Sequence, residues 1–427
     1  MKKRFILFVV IMTAFPAGLM AEGKLSLSLE EAQEYAIEHN RSLKNASIDI
    51  QKAQAAKWQS IAAMLPQVSA KVDYSNYFGY QMDVGAFKIS MPPYAQLGIT
   101  SSVGLNGASI VAVSISDISS KMADINLEKT ETDLRNQVAK LYYAALVTEE
   151  TLRLLEQNLQ SMRKLHEVSQ KSVEIGVAEQ TDADQLKVQV TSMESSITST
   201  KSAIEMAYNA IRLQLCVDEN TEVVLTQTLE ELANLAEAKA LISEQFDIQR
   251  NHDYQLLQQS TELARKQVAL TGWSNGPTLS VFHQFTAKKY LSDATTMNMT
   301  PPNMLGVSLN IPIFTSLKSS MAYKDAKLAY KKQLNVLDDT ELALNIQHRQ
   351  LVIDLQNAIE TYQIQEQTVE VAQRVFDNIA LKYQHGVSSS LDVTNAGTNL
   401  ISAQSGYIQA ILSITNAMIS LKQLMNK

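Results

Sequence analysis

Apolar positions along this chain follow two periods. One seam reads Leu134, Val138, Leu141, Ala145, Thr148, Leu152, Leu155, Leu159 and Met162. Its spacing alternates between three and four, a heptad pattern that predicts helix rather than strand. Adding 210 to each number lands on Leu344, His348, Leu351, Leu355, Ala358, Tyr362, Gln365, Val369 and Ala372. The spacing is the same, with Thr148, His348 and Gln365 as polar interruptions.

A short stretch after each seam repeats at the same offset. Gly176-Val177-Ala178-Glu179-Gln180-Thr181-Asp182 recurs as Gly386-Val387-Ser388-Ser389-Ser390-Leu391-Asp392, and 386 − 176 = 210. Further on, Ile204, Ala207 and Ile211 map onto Ile414, Ala417 and Leu421. Each copy predicts a long helix, a turn containing Gly and a long return helix, so the chain reads as an internal two-fold repeat. The hairpins are expected over 120–215 and 316–425. An arm from about Ser120 to Ile175 covers roughly 80 Å at ~1.5 Å per residue, longer than a compact domain.

Between the helical stretches the period drops to two. Val68, Ala70, Val72 and Tyr74 alternate with Gln67, Ser69, Lys71 and Asp73; after a loop from Gly79 to Tyr94, Leu97, Ile99, Ser101, Val103 and Leu105 alternate with Gly98, Thr100, Ser102, Gly104 and Asn106. In the second half Leu279, Val281, His283 and Phe285 make a weaker copy, and Leu305, Val307, Leu309, Ile311 and Ile313 a clearer one. Strands are expected at about 67–78, 97–113, 278–288 and 304–314. A strand with one apolar face suits a lipid-facing barrel, and it also suits a small soluble sheet packed on the helices. As a barrel, four strands cannot close without leaving open edges in lipid. Three copies of the chain would supply twelve strands, an even number within the barrel range.

The remaining signals set boundaries. Ser28 and Glu31 have capping-box spacing at the start of a helix in Leu27-Ser28-Leu29-Glu30-Glu31-Ala32. That helix is expected to break near Asn40 and to end at Leu65-Pro66. Asn40-Arg41-Ser42-Leu43 and Pro66 match Asn251-His252-Asp253-Tyr254 and Pro277 at an offset of 211. The first repeat therefore spans 22–216 and the second 241–427, joined by a connecting segment at 217–240.

Met1-Lys2-Lys3-Arg4 followed by Phe5 to Met12 reads as a secretory signal peptide over 1–21, and no Cys follows the cleavage point to carry a lipid anchor. Loss of Lys2, Lys3 and Arg4 moves the net charge from −7 to −10. An acidic exported chain gives no reason to expect nucleic-acid binding. No later stretch is long and apolar enough for a membrane helix, so any membrane crossing falls to the strands. The lone Cys216 excludes a disulfide framework and a Cys-rich metal site. The six histidines are scattered without metal-ligand spacing, and no nucleophile elbow or phosphate loop is present. Asp182 and Asp184, two apart on a helix, do not share a face. No enzyme, cofactor or metal is expected.

In this order the elements resemble the TolC family of outer-membrane efflux proteins. The resemblance covers essentially the whole mature chain. It rests on helix, strand hairpin, long helix, Gly turn and return helix performed twice, with Leu27 to Ala32, Leu65-Pro66, Leu309-Asn310-Ile311-Pro312-Ile313-Phe314 and the paired Gly-Val turns as local matches. It implies a mainly α fold with a membrane β part. Helical hairpins form an α-barrel, and four strands per protomer enter a homotrimer's twelve-stranded barrel. It further implies a passive exit duct in the outer membrane of a Gram-negative bacterium, extending into the periplasm. There the duct meets a periplasmic adaptor and an inner-membrane transporter. Some members carry a basic residue near Ser389 and a second acidic residue near Asn395 that latch the aperture; this chain lacks that pair. It also has Ser109-Ile110-Val111 where the second half ends its strand with Pro312-Ile313-Phe314.

Candidate residues follow from the turns. Asp182 and Asp392 open the return helices, which suits a helix N-terminus. Three copies of each would also ring an aperture and favour cations. Gly176 and Gly386 suit positive-φ caps. Val177 and Val387, apolar at a tip, point with Ala178 and Ser388 to an adaptor contact, with packing on a neighbouring hairpin as the rival. Tyr74 and Tyr290 fit interfacial aromatics, while Trp58 and Trp273 read as packing residues. The alternative from another class is an exported coiled-coil scaffold or adhesin without a pore.

Overall fold

A computed structural model describes residues 24–85, 87–229, 234–291 and 298–427; the expected signal peptide lies outside these residues. The elements in chain order are β1 (Lys24–Leu27), α1 (Leu29–His39), α2 (Arg41–Ala62), β2 (Gln67–Ser75), β3 (Gln81–Val84), β4 (Phe87–Ser90), β5 (Tyr94–Leu105) and α3 (Gly107–Glu174). They continue with α4 (Gln180–Leu215), β6 (Glu222–Leu225), α5 (Leu235–Ile242), α6 (His252–Trp273), β7 (Thr278–Tyr290), β8 (Asn303–Asn310), α7 (Lys318–Gln384) and α8 (Ser390–Met425). Helices α3 and α7 are 68 and 67 residues long, and α4 and α8 are each 36. At ~1.5 Å per residue the longer pair extend about 100 Å each. The chain divides into two compact units, one of residues up to 44, 130–247 and 346–427, the other of 45–129 and 248–345.

The first unit is built on helix seams. Ser28 and Glu31 form the expected capping box, with the Glu31 carboxylate accepting from the Ser28 N–H at 2.8 Å. That bond, and then the Ser28 hydroxyl, hold the Glu31 carboxyl below its ordinary range. Helix α1 ends at His39, and the Asn40 side chain accepts from Ser42 N–H and donates to Gln214 O. The expected break at Asn40 is thus a cap that also anchors α1 on α4.

Leu27, Ala36, Tyr142, Leu146, Leu215, Val223 and Ile411 form one apolar cluster beside the parallel pair β1–β6. Tyr142 is fully buried there, and its hydroxyl donates to Leu27 O at 3.0 Å. Leu159, Met162, Leu186, Met193, Phe376, Val393 and Leu400 form a second cluster that joins both helical hairpins. Gly397 packs closely on Met162: a Cβ there would meet the thioether methyl, which would have to shift. Helix α5 packs on α7 and α8 through Ala238, Leu241, Leu355, Ile414 and Leu421. His348, a polar interruption of the seam, stacks on Phe246 at 4.8 Å and 8°. Burial pushes its pKa down, so it packs as a neutral ring.

The second unit holds a four-stranded antiparallel sheet in the order β2-β5-β7-β8. Its strand limits correct several expectations. The segment expected to be strand from 97 to 113 is β5 only from Tyr94 to Leu105; α3 starts at Gly107 rather than near 120. The β-branched run Ile110-Val111 favours strand locally, but Asn106 Oδ1 accepts from the N–H and hydroxyl of Ser109 at 2.8 and 2.9 Å and starts a helix. The strand expected over 304–314 ends at Asn310. Pro312 cannot donate to a ladder, and Ser316 and Leu317 at φ 50° and 64° turn the chain into α7. Strand β2 stops at Ser75 rather than 78, β7 runs on to Tyr290, and the loop before Tyr94 contains the small hairpin β3–β4.

Trp58 and Trp273, read as packing residues, are 62% and 51% exposed in the single chain. Trp273 does cover one neighbour: a Cβ on Gly107 would lie 2.2 Å from its ring. The β5–α3 junction therefore requires glycine. Gly107→Ala should destabilise the protein by about 1–3 kcal/mol through overpacking. Adding Trp273→Leu should restore much of the loss, as read by thermal unfolding in detergent.

Candidate functional site

The two turns share one backbone design. Gly176 and Gly386 have φ of 74° and 73°. Gly176 N–H donates to Val173 O at 2.9 Å and Val177 N–H to Ser172 O at 2.8 Å. Gly386 N–H donates to Tyr383 O at 3.0 Å and Val387 N–H to Lys382 O at 2.9 Å. This is the Schellman pairing, which satisfies the last carbonyls of α3 and α7 and needs a residue without Cβ at the left-handed position. Val177 and Val387 follow at 78% and 74% exposure in the single chain. Ile175 and Leu391 are also exposed, so each tip presents two apolar side chains.

The helix starts after the turns differ. Ser389 caps α8 in a full box: its hydroxyl accepts from Asp392 N–H at 3.1 Å and donates to Asp392 Oδ2 at 2.7 Å. Ser389 N–H and the Ser388 hydroxyl donate to the same oxygen, each at 3.0 Å. The Ser389 N–H first, and then the two hydroxyls, hold the Asp392 carboxyl below its ordinary range. Glu179, at the matching place before α4, makes no side-chain cap.

Asp182 instead accepts a short hydrogen bond from Ser390 Oγ, which also lies 3.0 Å from Gln185 Oε1. The structure thus links the first turn to the second through Asp182 and Ser390, while Asp392 is committed to its own serines. The sequence pattern points to both aspartates but not to Ser389, Ser390 and Gln185 as their partners. The spacing Ser389-x-x-Asp392 carried the capping signal; the Ser390–Asp182 link carried none, since its partners lie 208 residues apart.

The sheet has two chemically distinct faces. The ladder register puts Val68, Val72, Tyr74, Leu97, Ile99, Val103, Leu279, Val281, Leu305, Val307 and Leu309 on one side. The other carries Gln67, Lys71, Asp73, Gln96, Thr100, Ser280, Gln284, Lys288 and Ser308. Val72 and Leu305 on the apolar side are each 74% exposed, so the helices of the same chain do not cover that face. Strands β2 and β8 form the two edges of the sheet. Among the described residues no helix is long and apolar enough to cross a membrane.

Comparison with known proteins assigns this architecture. The sequence model of the outer membrane efflux protein family matches residues 33–215 and 247–427. Outer membrane protein TolC of Vibrio cholerae is 21% identical over 435 residues, spanning 99% of this chain and 97% of that protein. Among solved structures, VceC of Vibrio cholerae superposes with a TM-score of 0.78 at 17% identity, covering 93% of this chain and 95% of that one. The open-state MtrE outer membrane channel of Neisseria gonorrhoeae gives 0.75 at 15% identity, covering 93% and 88%. The chain belongs to the outer membrane efflux protein family, the family of TolC-like channels. Its relatives are channels rather than enzymes.

The capping geometry fixes a pH dependence. A carboxyl with a depressed folded-state pKa adds stability above its unfolded value of ~3.9, and that stability is lost as pH falls through the lower folded value. Ser389→Ala should destabilise the protein by about 1 kcal/mol near neutrality, the ordinary worth of a serine cap. The difference from wild type should shrink as pH falls below ~4 and through the lowered Asp392 value, where the carboxyl protonates in wild type as well. Thermal melts of detergent-solubilised protein from pH ~7 to ~3 are the measurement.

Proposed function

We propose that the chain is the passive exit duct of a tripartite efflux or secretion system. In this reading three copies close a twelve-stranded barrel in the outer membrane, and their helical hairpins form a tunnel in the periplasm. The two Gly turns lie at its periplasmic end, gate it and dock an adaptor, while an inner-membrane transporter selects and drives the cargo. Export by a signal peptide over 1–21, and descent of 22–216 and 241–427 from one duplicated unit, belong to the same reading.

The exposed apolar face of a sheet with two free edges is the observation that carries it. Hydrocarbon suits such a face, and pairing each edge with another copy satisfies its backbone groups. The long helix α7 adds support. Beside the seam it buries, Ile346, Ile353, Ile364, Val371 and Val375 are exposed at heptad-compatible spacing, a second seam open to a neighbouring copy. An exported scaffold or adhesin would gain nothing from the apolar sheet face.

Two experiments test the assignment. Mass measurement in detergent should give three chains, and planar bilayers should show cation-selective conductance. Asp392→Asn should reduce that selectivity, and adding Asp182→Asn should reduce it further. Both effects should fade as the Debye length drops from ~10 Å at 0.1 M salt to ~3 Å at 1 M. A detergent-independent monomer without conductance rejects the duct and favours the scaffold. Identical low-salt reversal potentials in wild type and double mutant leave the aspartates as helix-terminal residues only.

At the tips, Val177→Asp with Val387→Asp should sharply lower crosslinking to the adaptor and abolish efflux while the trimer persists, because an unpaired charge would enter an apolar contact. Unchanged crosslinking and efflux reject the docking role.

A further inference from the structure

At the end of the sheet away from its helices, the polar face carries a lysine held between two aromatic rings. The Lys288 ammonium lies 3.8 Å from the centroid of the Tyr94 ring and 4.8 Å from that of Tyr290. The two rings meet edge to face with centroids 6.2 Å apart, and Tyr77 packs against Tyr94 at 6.4 Å. Register fixes the arrangement. Tyr94 pairs with Ser75 on one side and Tyr290 on the other, and Lys288 pairs with Gln96. All of these point to the same side as Lys71 and Asp73, since they are separated by even steps along their strands.

The charges on that face do not cancel. Lys71, Asp73 and Lys288 are the acidic and basic residues its strands carry, giving 2 − 1 = +1 per chain. Lys71 is tied to Asp73 at 2.8 Å. Among the described residues Lys288 makes no ion pair, so the uncompensated charge is its own. Cation–π attraction holds the ammonium in place without neutralising it. A free lysine sweeps a wide volume on its flexible stem; this one is confined to a single place on the wall.

We propose that Lys288, positioned by Tyr94 and Tyr290, is an anion-attracting site on the water-facing wall of the barrel at its loop end. It sets how that mouth discriminates small anions from cations. The proposal rests on the trimeric-barrel reading, in which three such ammoniums face one water-filled bore. At ~7 Å in water a single unit charge enriches a monovalent anion roughly threefold. Low-dielectric walls focus the field of three. The site has the opposite sign to the carboxylates of the Gly turns, so anionic solutes entering from the loop end meet an attractive rather than a repulsive wall.

The test is the reversal potential of purified full-length protein in planar bilayers under a potassium chloride gradient at about 0.1 M, repeated near 1 M, where screening is nearly complete. Lys288→Gln should lower the chloride-to-potassium permeability ratio about twofold at low salt, and Lys288→Glu should lower it further. Lys288→Arg should keep the wild-type ratio, which separates a charge effect from a packing effect. All three should retain the wild-type conductance near 1 M. Identical low-salt ratios in wild type, Gln and Glu variants of normal high-salt conductance overturn the site while leaving the pore intact. Absence of conductance from wild type overturns the barrel reading and this inference with it.

Discussion

A sheet edge in hydrocarbon must be paired, because no water is present to satisfy its N–H and C=O groups. The sheet β2-β5-β7-β8 has an exposed apolar face, and among the described residues no further strand pairs with either of its edges. Much of the remaining architecture serves that constraint. Within the second unit, α2 and α6 lead into the first and third strands of the sheet, and α3 and α7 leave from the second and fourth. Gly107 lets the Trp273 ring sit at one of these junctions. The proposed trimer is the solution in which every edge finds a partner.

The first unit works by a different rule. Its helices are held by narrow seams of Leu, Ile, Val, Met and Ala rather than by a thick core, so each cluster is small and sensitive to side-chain volume. Gly397 against Met162 is one such close contact: an added methyl would require the thioether methyl to move. The ion pairs on exposed helix faces, such as Lys201–Glu156 at 3.2 Å, add little beside these seams.

Two turns with the same backbone have acquired different side-chain roles. Both end a long helix through a positive-φ glycine and two carbonyl bonds. The second closes its own cap through Ser389 and Asp392, whereas the first uses Asp182 to bind Ser390 of the second. The hydrogen bonds from Ser389 and Ser388 hold the Asp392 carboxyl below its ordinary range, which favours its charged form. Charge at the turns and the opposite charge of Lys288 on the sheet then act at separate places on one proposed path.

The sequence by itself determined the elements whose causes are local or periodic. Heptad seams marked the long helices, alternation marked the four strands, and Ser28 with Glu31, Asn40 and the two turn glycines marked caps and breaks. These depend on residues within a few positions of one another, so they are legible in one dimension. Element ends were less legible where local preferences compete, as at Ile110-Val111, where the Asn106 cap overrides a β-branched run. Only the tertiary structure decided which faces stay uncovered, which strands neighbour one another, and that Asp182 meets Ser390 or Lys288 sits between Tyr94 and Tyr290. Lys288 and Tyr94 are brought together by a β5–β7 register across nearly two hundred residues of chain. No local spacing encodes such a contact, because it is fixed by the pairing of distant strands and not by either segment alone.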